Sequence, residues 1–377
     1  MTIYFVAGEV SADNHGAALM RSLRALDPQL KFIGRGGPQM QQIAGAQFKN
    51  WIGNAAVLGL WEVLRKYGYF REQFRQTLKE IKESKPDAVV LIDYPGFNLR
   101  LARALRRQSL GGKTIYYISP QVWAWNRGRI KKMAHFIDLV LCIFPFETAL
   151  YAASGLRAVF VGHPMIERLE SQKIETPRDS NLIGLFPGSR LREVRKIFPV
   201  MMETARGLLQ LNPTLRFRVA AASKELALEM NERLADRHAI EINVGETATI
   251  MRSAFVGIVA SGSATLEAAY FGMPFVLIYK VAWPTYVAAR LVVNVDFLGM
   301  PNLLAGKEVV PEFIQHEANP DAIVNAVRLL MEDSPTRDRM ISDFDAIIRN
   351  LGGSGASERA ANAIVEELQT GVPFPTP

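Results

Sequence analysis

The stretch Ala88–Asn98, AVVLIDYPGFN, decides how this chain is read. Its apolar run Ala88–Ile92 does not alternate, it ends at Asp93, and Pro95 and Gly96 then force a turn ahead of the next helix. A strand that is apolar on both faces belongs to a parallel sheet covered by helices, whereas a half-solvated strand alternates. Similar runs occur at Ile3–Ala7, Thr114–Ile118, Leu139–Ile143 and Ala158–Val161, with helical patterns between several of them, as at Asn14–Leu26 and Arg71–Ser84. A second series follows at Leu182–Phe186, Phe217–Ala221, Glu241–Val244, Val256–Val259 and Phe275–Tyr279. The alternation predicts an α/β fold of two doubly wound, Rossmann-like domains in tandem, facing each other across a cleft.

The length of 377 residues fits two domains at roughly 100–200 residues each. The polar stretch Glu167–Asn181, ERLESQKIETPRDSN, has no apolar period and reads as a linker. The expected division is an N-terminal domain over 1–168, a linker over 169–181 and a C-terminal domain over 182–350. The remainder, 351–377, is expected to give a helix at Ser357–Gln369 that packs back on the N-terminal domain, and a frayed tail.

Apolar residues make up 49% and charged residues 21%, which excludes a disordered chain. The net charge of +7 points to an anionic partner, and nucleic acid, membrane and phosphorylated substrate all fit. The single cysteine, Cys142 in LVLCIF, cannot form an internal disulfide and reads as a buried strand residue. The start, MTIYFVAGE, lacks a basic signal-peptide region. The least charged stretch, Ser253–Tyr279, is interrupted by Glu267, glycines and Pro274, so it reads as core and not as a span of ~20 apolar residues. A soluble or peripheral protein is expected.

In open α/β sheets, ligands bind beyond the carboxyl ends of the strands, so the loops there carry the chemistry. The first is AGEVSAD, Ala7–Asp13, with a helix expected to begin near Ala12. Glu9 and Asp13 flank it, and Ser11 or Asp13 as a helix cap is the plainer reading. It lacks the glycine spacing of a dinucleotide fingerprint. In the second loop, Asp93 at the end of a buried strand suits general-base work, because desolvation raises a carboxyl pKa; a turn-forming aspartate is the alternative.

The third segment, Ser119–Met133, SPQVWAWNRGRIKKM, interleaves Trp123 and Trp125 with Arg127, Arg129, Lys131 and Lys132. Stacking on single-stranded nucleic acid, an anionic membrane contact and a solvated basic helix beside buried tryptophans all fit. In LFPGSRLREV, Leu185–Val194, Gly188 and Ser189 let the backbone turn its N–H groups outward, and Arg190 has the planar fork that suits a diphosphate. In ASGSATLEAAYFGMP, Ala260–Pro274, the small residues Ser261, Gly262 and Ser263 let a phosphate approach a helix N-terminus, and Glu267 stands about one turn in, suited to a ribose diol. Asn302 in MPNLLAGKEVV is either a turn residue or a diphosphate or sugar contact. The five histidines show no metal-ligand spacing and no HExxH, DxD or CxxC occurs, so no metal is expected; His163 and His15 are weaker site candidates.

The loops GEVSAD, DYPGFN, SPQVWAWN, VGHP, PGSR, SGSATLE and PNLLAG occur in the order seen in the lipid-A-disaccharide synthase family, and the resemblance runs from about Ile3 to Gln369. One departure is Ala12, where the family's first loop usually has glycine. The resemblance implies a GT-B glycosyltransferase architecture and an inverting, metal-independent, cofactor-free transfer. UDP-2,3-diacylglucosamine would be the donor and 2,3-diacylglucosamine 1-phosphate the acceptor, giving a β-1,6-linked disaccharide 1-phosphate and UDP. Asp93 would then be the base, with Glu9 and Asp13 touching acceptor or supporting it. Gly188, Ser189, Arg190, Ser261, Gly262, Ser263 and Asn302 would hold the diphosphate, and Glu267 the ribose. The lipid substrates imply docking on the anionic cytoplasmic face of the inner membrane, without nucleic acid. Val57–Phe70, VLGLWEVLRKYGYF, supplies Trp61, Leu64, Tyr67 and Phe70 at near-helical spacing for membrane or acyl contact, and Arg127, Arg129, Lys131 and Lys132 add charge. The rival readings are a UDP-N-acetylglucosamine 2-epimerase and a non-catalytic RNA or membrane binder.

Overall fold

The structure is a computed structural model that describes residues 1–52, 67–125, 128–174, 176–234, 239–283, 286–287, 295–332 and 335–369. The chain divides into two compact units, residues 1–167 with 351–377, and residues 168–350.

The first unit runs β1 (Thr2–Ala7), α1 (Val10–Leu26), β2 (Lys31–Gly36), α2 (Pro38–Ala44), β3 (Phe48–Asn50), α3 (Tyr67–Ser84), β4 (Ala88–Ile92), α4 (Pro95–Arg107), β5 (Lys113–Tyr117), α5 (Val122–Trp125), α6 (Gly128–Met133), β6 (Leu139–Cys142), α7 (Pro145–Ala152) and β7 (Ala158–Phe160). Helix α8 (Pro164–Glu170) leads into the second unit: β8 (Asp179–Phe186), α9 (Leu191–Leu211), β9 (Arg216–Ala221), α10 (Lys224–Asn231), β10 (Ile240–Val244), α11 (Thr247–Ser253), β11 (Ala254–Ala260), α12 (Ser263–Tyr270), β12 (Phe275–Tyr279), α13 (Met300–Ala305), β13 (Glu312–Ile314), α14 (Pro320–Met331) and α15 (Pro335–Asn350). Helix α16 (Ala356–Gln369) returns to the first unit.

Both sheets are parallel. The first has the order β3-β2-β1-β4-β5-β6-β7 and the second β10-β9-β8-β11-β12-β13. Chain order reverses between β1 and β4 in one and between β8 and β11 in the other. At such a switch point the two following loops diverge and leave room for a ligand. Ala7 pairs with Ile92 and Phe186 with Val259, so loops 8–9 and 93–94 emerge together, as do loops 187–190 and 261–262.

Every residue of β4 is fully buried, as the unbroken apolar run requires. Its Val90 and Ile92 join Phe5, Ile115 and Leu141 in a core that extends to Ala360, Ala361 and Ile364 of α16. Helix α16 is pinned further by Glu367, which takes Lys113 at 2.8 Å and Arg157 at 2.9 Å. Three strands escaped the sequence reading. β2 carries Gly34, Arg35 and Gly36, while β3 and β13 have three residues each, too few to show a period.

The stretch expected to be a linker is built into structure on both sides. Residues 169–170 lie in α8, and β8 starts at Asp179, ahead of the apolar run. Between them Arg178 donates to the carbonyls of Met251 at 2.8 Å, Ala254 at 2.6 Å and Phe271. A guanidinium sunk among carbonyls satisfies the ends of α11 and α12, so this polar stretch is not a free tether.

Candidate functional site

At the switch point of the first sheet, β4 ends in an uncommon turn. Asp93 has φ +47° and Tyr94 φ +51°, both left-handed and neither glycine. Each such residue costs about 1–3 kcal/mol and persists only where its surroundings enforce it. The neighbouring apolar side chains of β4 offset this, at roughly 1.5–3 kcal/mol for each one fully buried. The Asp93 amide donates to Tyr117 O at 3.0 Å. Its own carbonyl accepts from Tyr116 Oη at 2.6 Å and Asn98 Nδ2 at 2.7 Å. Helix α4 starts at Pro95, so Asn98 lies inside it and is not its first residue.

The Tyr94 ring lies over the first loop, between Gly8 and the rings of Trp51 and Phe97, at centroid distances of 6.4 and 6.2 Å from the latter two. Trp51 Nε1 donates to Ala7 O at 2.6 Å, which ties the same loop from its other side. Burial, and then the nearby Glu9 carboxylate, push the Asp93 carboxyl up to about 6. A carboxyl poised there accepts a proton near neutral pH. Glu9 is exposed and stands at the N-cap position of α1 without a capping side-chain hydrogen bond; the helix starts at Val10, two residues earlier than expected.

Asp13 has a different task from the one expected. It is buried, and its carboxylate accepts from the amides of Gly37 at 2.9 Å, Gln39 at 3.0 Å and Met40 at 3.0 Å, closing the start of α2. That arrangement satisfies helix N–H groups at the start of α2. Ala12 is an ordinary helical residue of α1, so in this chain the position adopts no left-handed turn.

In the second unit, Gly188 has φ +105°, and a Cβ there would stand 2.8 Å from Glu193 Oε2. Arg190 caps α9, is largely exposed, and pairs with Glu193 at 2.9 Å. Across the switch point, Gly262 caps α12 with φ +151°, and neither helix has a side chain capping its first N–H groups. Ser261 is half-buried and its amide donates to Ile278 O at 3.0 Å, while Gly262 and Ser263 are exposed at the start of α12, where a helix leaves its first N–H groups unpaired. Glu267 Oε1 is paired with Arg168 at 2.8 Å, a partner the sequence did not reveal.

Asn302, expected as a turn residue or a diphosphate contact, is engaged within its own loop. It is buried; Nδ2 donates to Val310 O and to Glu312 Oε1, both at 2.8 Å, while Oδ1 accepts from the amides of Val309 at 2.7 Å and Val310 at 2.8 Å. Both amide hydrogens are committed, so none is left for a diphosphate.

The aromatic-basic segment separates into two parts. Trp123 is buried, with Nε1 on Glu147 Oε1 at 2.9 Å, so it offers no stacking face. Arg129, Lys131 and Lys132 are exposed on α6. Glu147, unnoticed in the sequence, is fully buried, also accepts the Phe144 amide at 3.1 Å, and burial pushes it up to about 7. His163 Nδ1 accepts from the Met165 amide at 3.2 Å at the start of α8. Phe70 is half-buried in α3 with its ring 5.5 Å from Tyr69. Trp61, Leu64, Arg127 and the side chain of Tyr67 lie outside the described residues. Among the described residues no helix is long and apolar enough to cross a membrane.

Comparison with known proteins completes the picture. A family model described as lipid-A-disaccharide synthetase matches residues 3–364. The lipid-A-disaccharide synthase of Geobacter sulfurreducens is 38% identical, over 97% of each chain. That of Myxococcus xanthus is 35% identical over 98% of each. Among solved structures, the UDP-GlcNAc 2-epimerase of Neisseria meningitidis, bound to UDP-GlcNAc, superposes with a TM-score of 0.65 at 13% identity, covering 98% of this chain and 100% of that one. The calicheamicin glycosyltransferase CalG4 gives 0.56 at 14% identity, covering 99% of each. At such identities these structures speak for the fold alone, the GT-B type shared by epimerases and glycosyltransferases. The sequence matches are what separate the chain from the epimerases: it belongs to the lipid-A-disaccharide synthase family.

Proposed function

We propose that the protein is an inverting glycosyltransferase of lipid A biosynthesis in which Asp93 is the general base. Membership of the family carries the activity, lipid-A-disaccharide synthase. The donor is UDP-2,3-diacylglucosamine and the acceptor 2,3-diacylglucosamine 1-phosphate. The acceptor's 6-hydroxyl attacks the anomeric carbon opposite the diphosphate. A C–O bond forms there as the C1–O bond to the diphosphate breaks, the proton passes to Asp93, and UDP leaves with the electron pair. The observation that carries the assignment is the left-handed pair Asp93–Tyr94 at the switch point, with a carboxyl held up to about 6. Glu9 acts through its charge on Asp93.

Main-chain donors of 188–190 and 262–263, with Arg190, stabilise the departing diphosphate, since fixed dipoles lower the barrier most where charge develops; Ser261 contributes through its small size. Glu267 accepts the ribose hydroxyls. Asn302 and Asp13 hold their loops in shape. The enzyme works on the anionic cytoplasmic face of the inner membrane, where Phe70, Arg129, Lys131 and Lys132 contribute contact. The test is incubation with donor and acceptor and measurement of product mass. A disaccharide 1-phosphate that forms only when both are present supports the reading, and epimerised UDP-sugar from donor alone overturns it.

A further inference from the structure

We propose that Tyr116 and Asn98 are positioning residues for the transfer: between them they hold the main-chain oxygen of Asp93 and so set the direction of its carboxylate. The proposal rests on Asp93 being the base.

The ladder between β4 and β5 ends at the pair Ile92 and Tyr117, one residue before the Asp93 carbonyl, and Asp93 itself turns left-handed. A carbonyl withdrawn from water without a donor is costly, and this half-buried one has two, Tyr116 Oη at 2.6 Å and Asn98 Nδ2 at 2.7 Å. Asn98 Nδ2 also reaches Ile92 O at 3.2 Å, so one amide group grips both of the peptides that flank the Asp93 Cα. Asn98 Oδ1 is buried with no hydrogen-bond partner among the described residues, so the amide's orientation is set by these two carbonyls. Tyr116 is fully buried in β5, where phenylalanine would fill the same space. Its hydroxyl needs a partner there, and the partner is the Asp93 carbonyl just past the end of the ladder. The two donors come from different elements, β5 and α4, and meet on a single atom. This over-determines a backbone conformation that its own φ values disfavour, and it fixes the Cα–Cβ direction of Asp93. A misplacement of about 1 Å in a reacting group can cost on the order of 10²-fold in rate.

The experiment is a double-mutant cycle between Tyr116→Phe and Asp93→Asn in the full chain, with kcat, KM and thermal unfolding measured for all four proteins. Tyr116→Phe is expected to lower kcat by about tenfold with KM moving by less than about twofold, and to unfold cooperatively. Placed on Asp93→Asn it is expected to cost nothing further, because a residue that acts through the carboxylate has no effect once the carboxylate is gone. Asn98→Ala is expected to show the same non-additivity. The proposal is overturned if Tyr116→Phe keeps wild-type kcat, or if its loss multiplies fully with that of Asp93→Asn. Near-normal turnover of Asp93→Asn itself removes the base, and the proposal with it, and is read in the same set.

Discussion

The ring of Tyr94 occupies the space that a side chain on Gly8 would need: a Cβ there would stand 2.5 Å from Tyr94 Cδ1. The glycine of the first loop is therefore required by close approach and not by its own φ. Gly8→Ala is expected to push the ring away, destabilise the protein by about 1–3 kcal/mol, and lower turnover by disturbing the turn at Asp93. Trimming the ring should relieve the clash, so the stability cost of Gly8→Ala is expected to shrink in a Tyr94→Ala background. Thermal unfolding of the four proteins checks this, and full additivity would mean that the contact is not what matters.

Asp93 is expected to oppose stability while serving function. An aspartate ordinarily titrates near 3.8, and burial followed by the charge of Glu9 lifts this one to about 6. The fold thus binds a proton over a range where the unfolded chain has lost it. The resulting stability is present in full below the ordinary value and is lost as pH rises through about 6. Asp93→Asn stays neutral at all pH, so its melting temperature should gain on wild type between pH 4 and pH 8. A constant difference across that range would show that the carboxyl is not perturbed. Wild-type kcat should rise with pH through about 6, since only the carboxylate takes a proton.

Buried Asn302 and half-buried Glu312 pair at 2.8 Å, and Glu312 also accepts the amides of Leu298 at 2.9 Å and Gly299 at 2.8 Å. Asn302→Asp would set two carboxyl groups against each other and leave Val310 O without its donor. A loss on the order of 3 kcal/mol or more is expected in unfolding measurements. Weakened UDP binding at unchanged stability would instead make Asn302 a ligand.

Lys131 and Lys132 are exposed on α6, and each basic residue near an anionic surface contributes about 1 kcal/mol. Lys131→Glu with Lys132→Glu is expected to weaken co-sedimentation with anionic vesicles by tenfold or more, at ~1.4 kcal/mol per decade. Binding of wild type should also fall as salt rises. Indifference to both would move the docking face elsewhere.

Much of the fold is legible in the chain because fully buried parallel strands write themselves as unbroken apolar runs, as β4 does. β2 does not, because Arg35 is buried there by pairing with Glu80 at 2.5 Å on α3, and a charged residue reads as surface until its partner is known. The same blindness governs the site. Asp93 is visible as a carboxylate that ends a buried strand. Asp13 and Asn302 look equally reactive in sequence, yet their hydrogen-bonding groups are taken up by α2 and by the loop before β13. Tyr116 hides for the opposite reason: an aromatic in a strand reads as core, and nothing local announces that its hydroxyl meets Asp93.

The most direct test is turnover of Asp93→Asn with UDP-2,3-diacylglucosamine and 2,3-diacylglucosamine 1-phosphate, measured beside its affinity for UDP. Loss of general-base catalysis is expected to lower kcat by ~10²-fold or more, with UDP affinity unchanged because the loops proposed to bind it belong to the other unit. Turnover near wild type would contradict the assignment of Asp93 as the base.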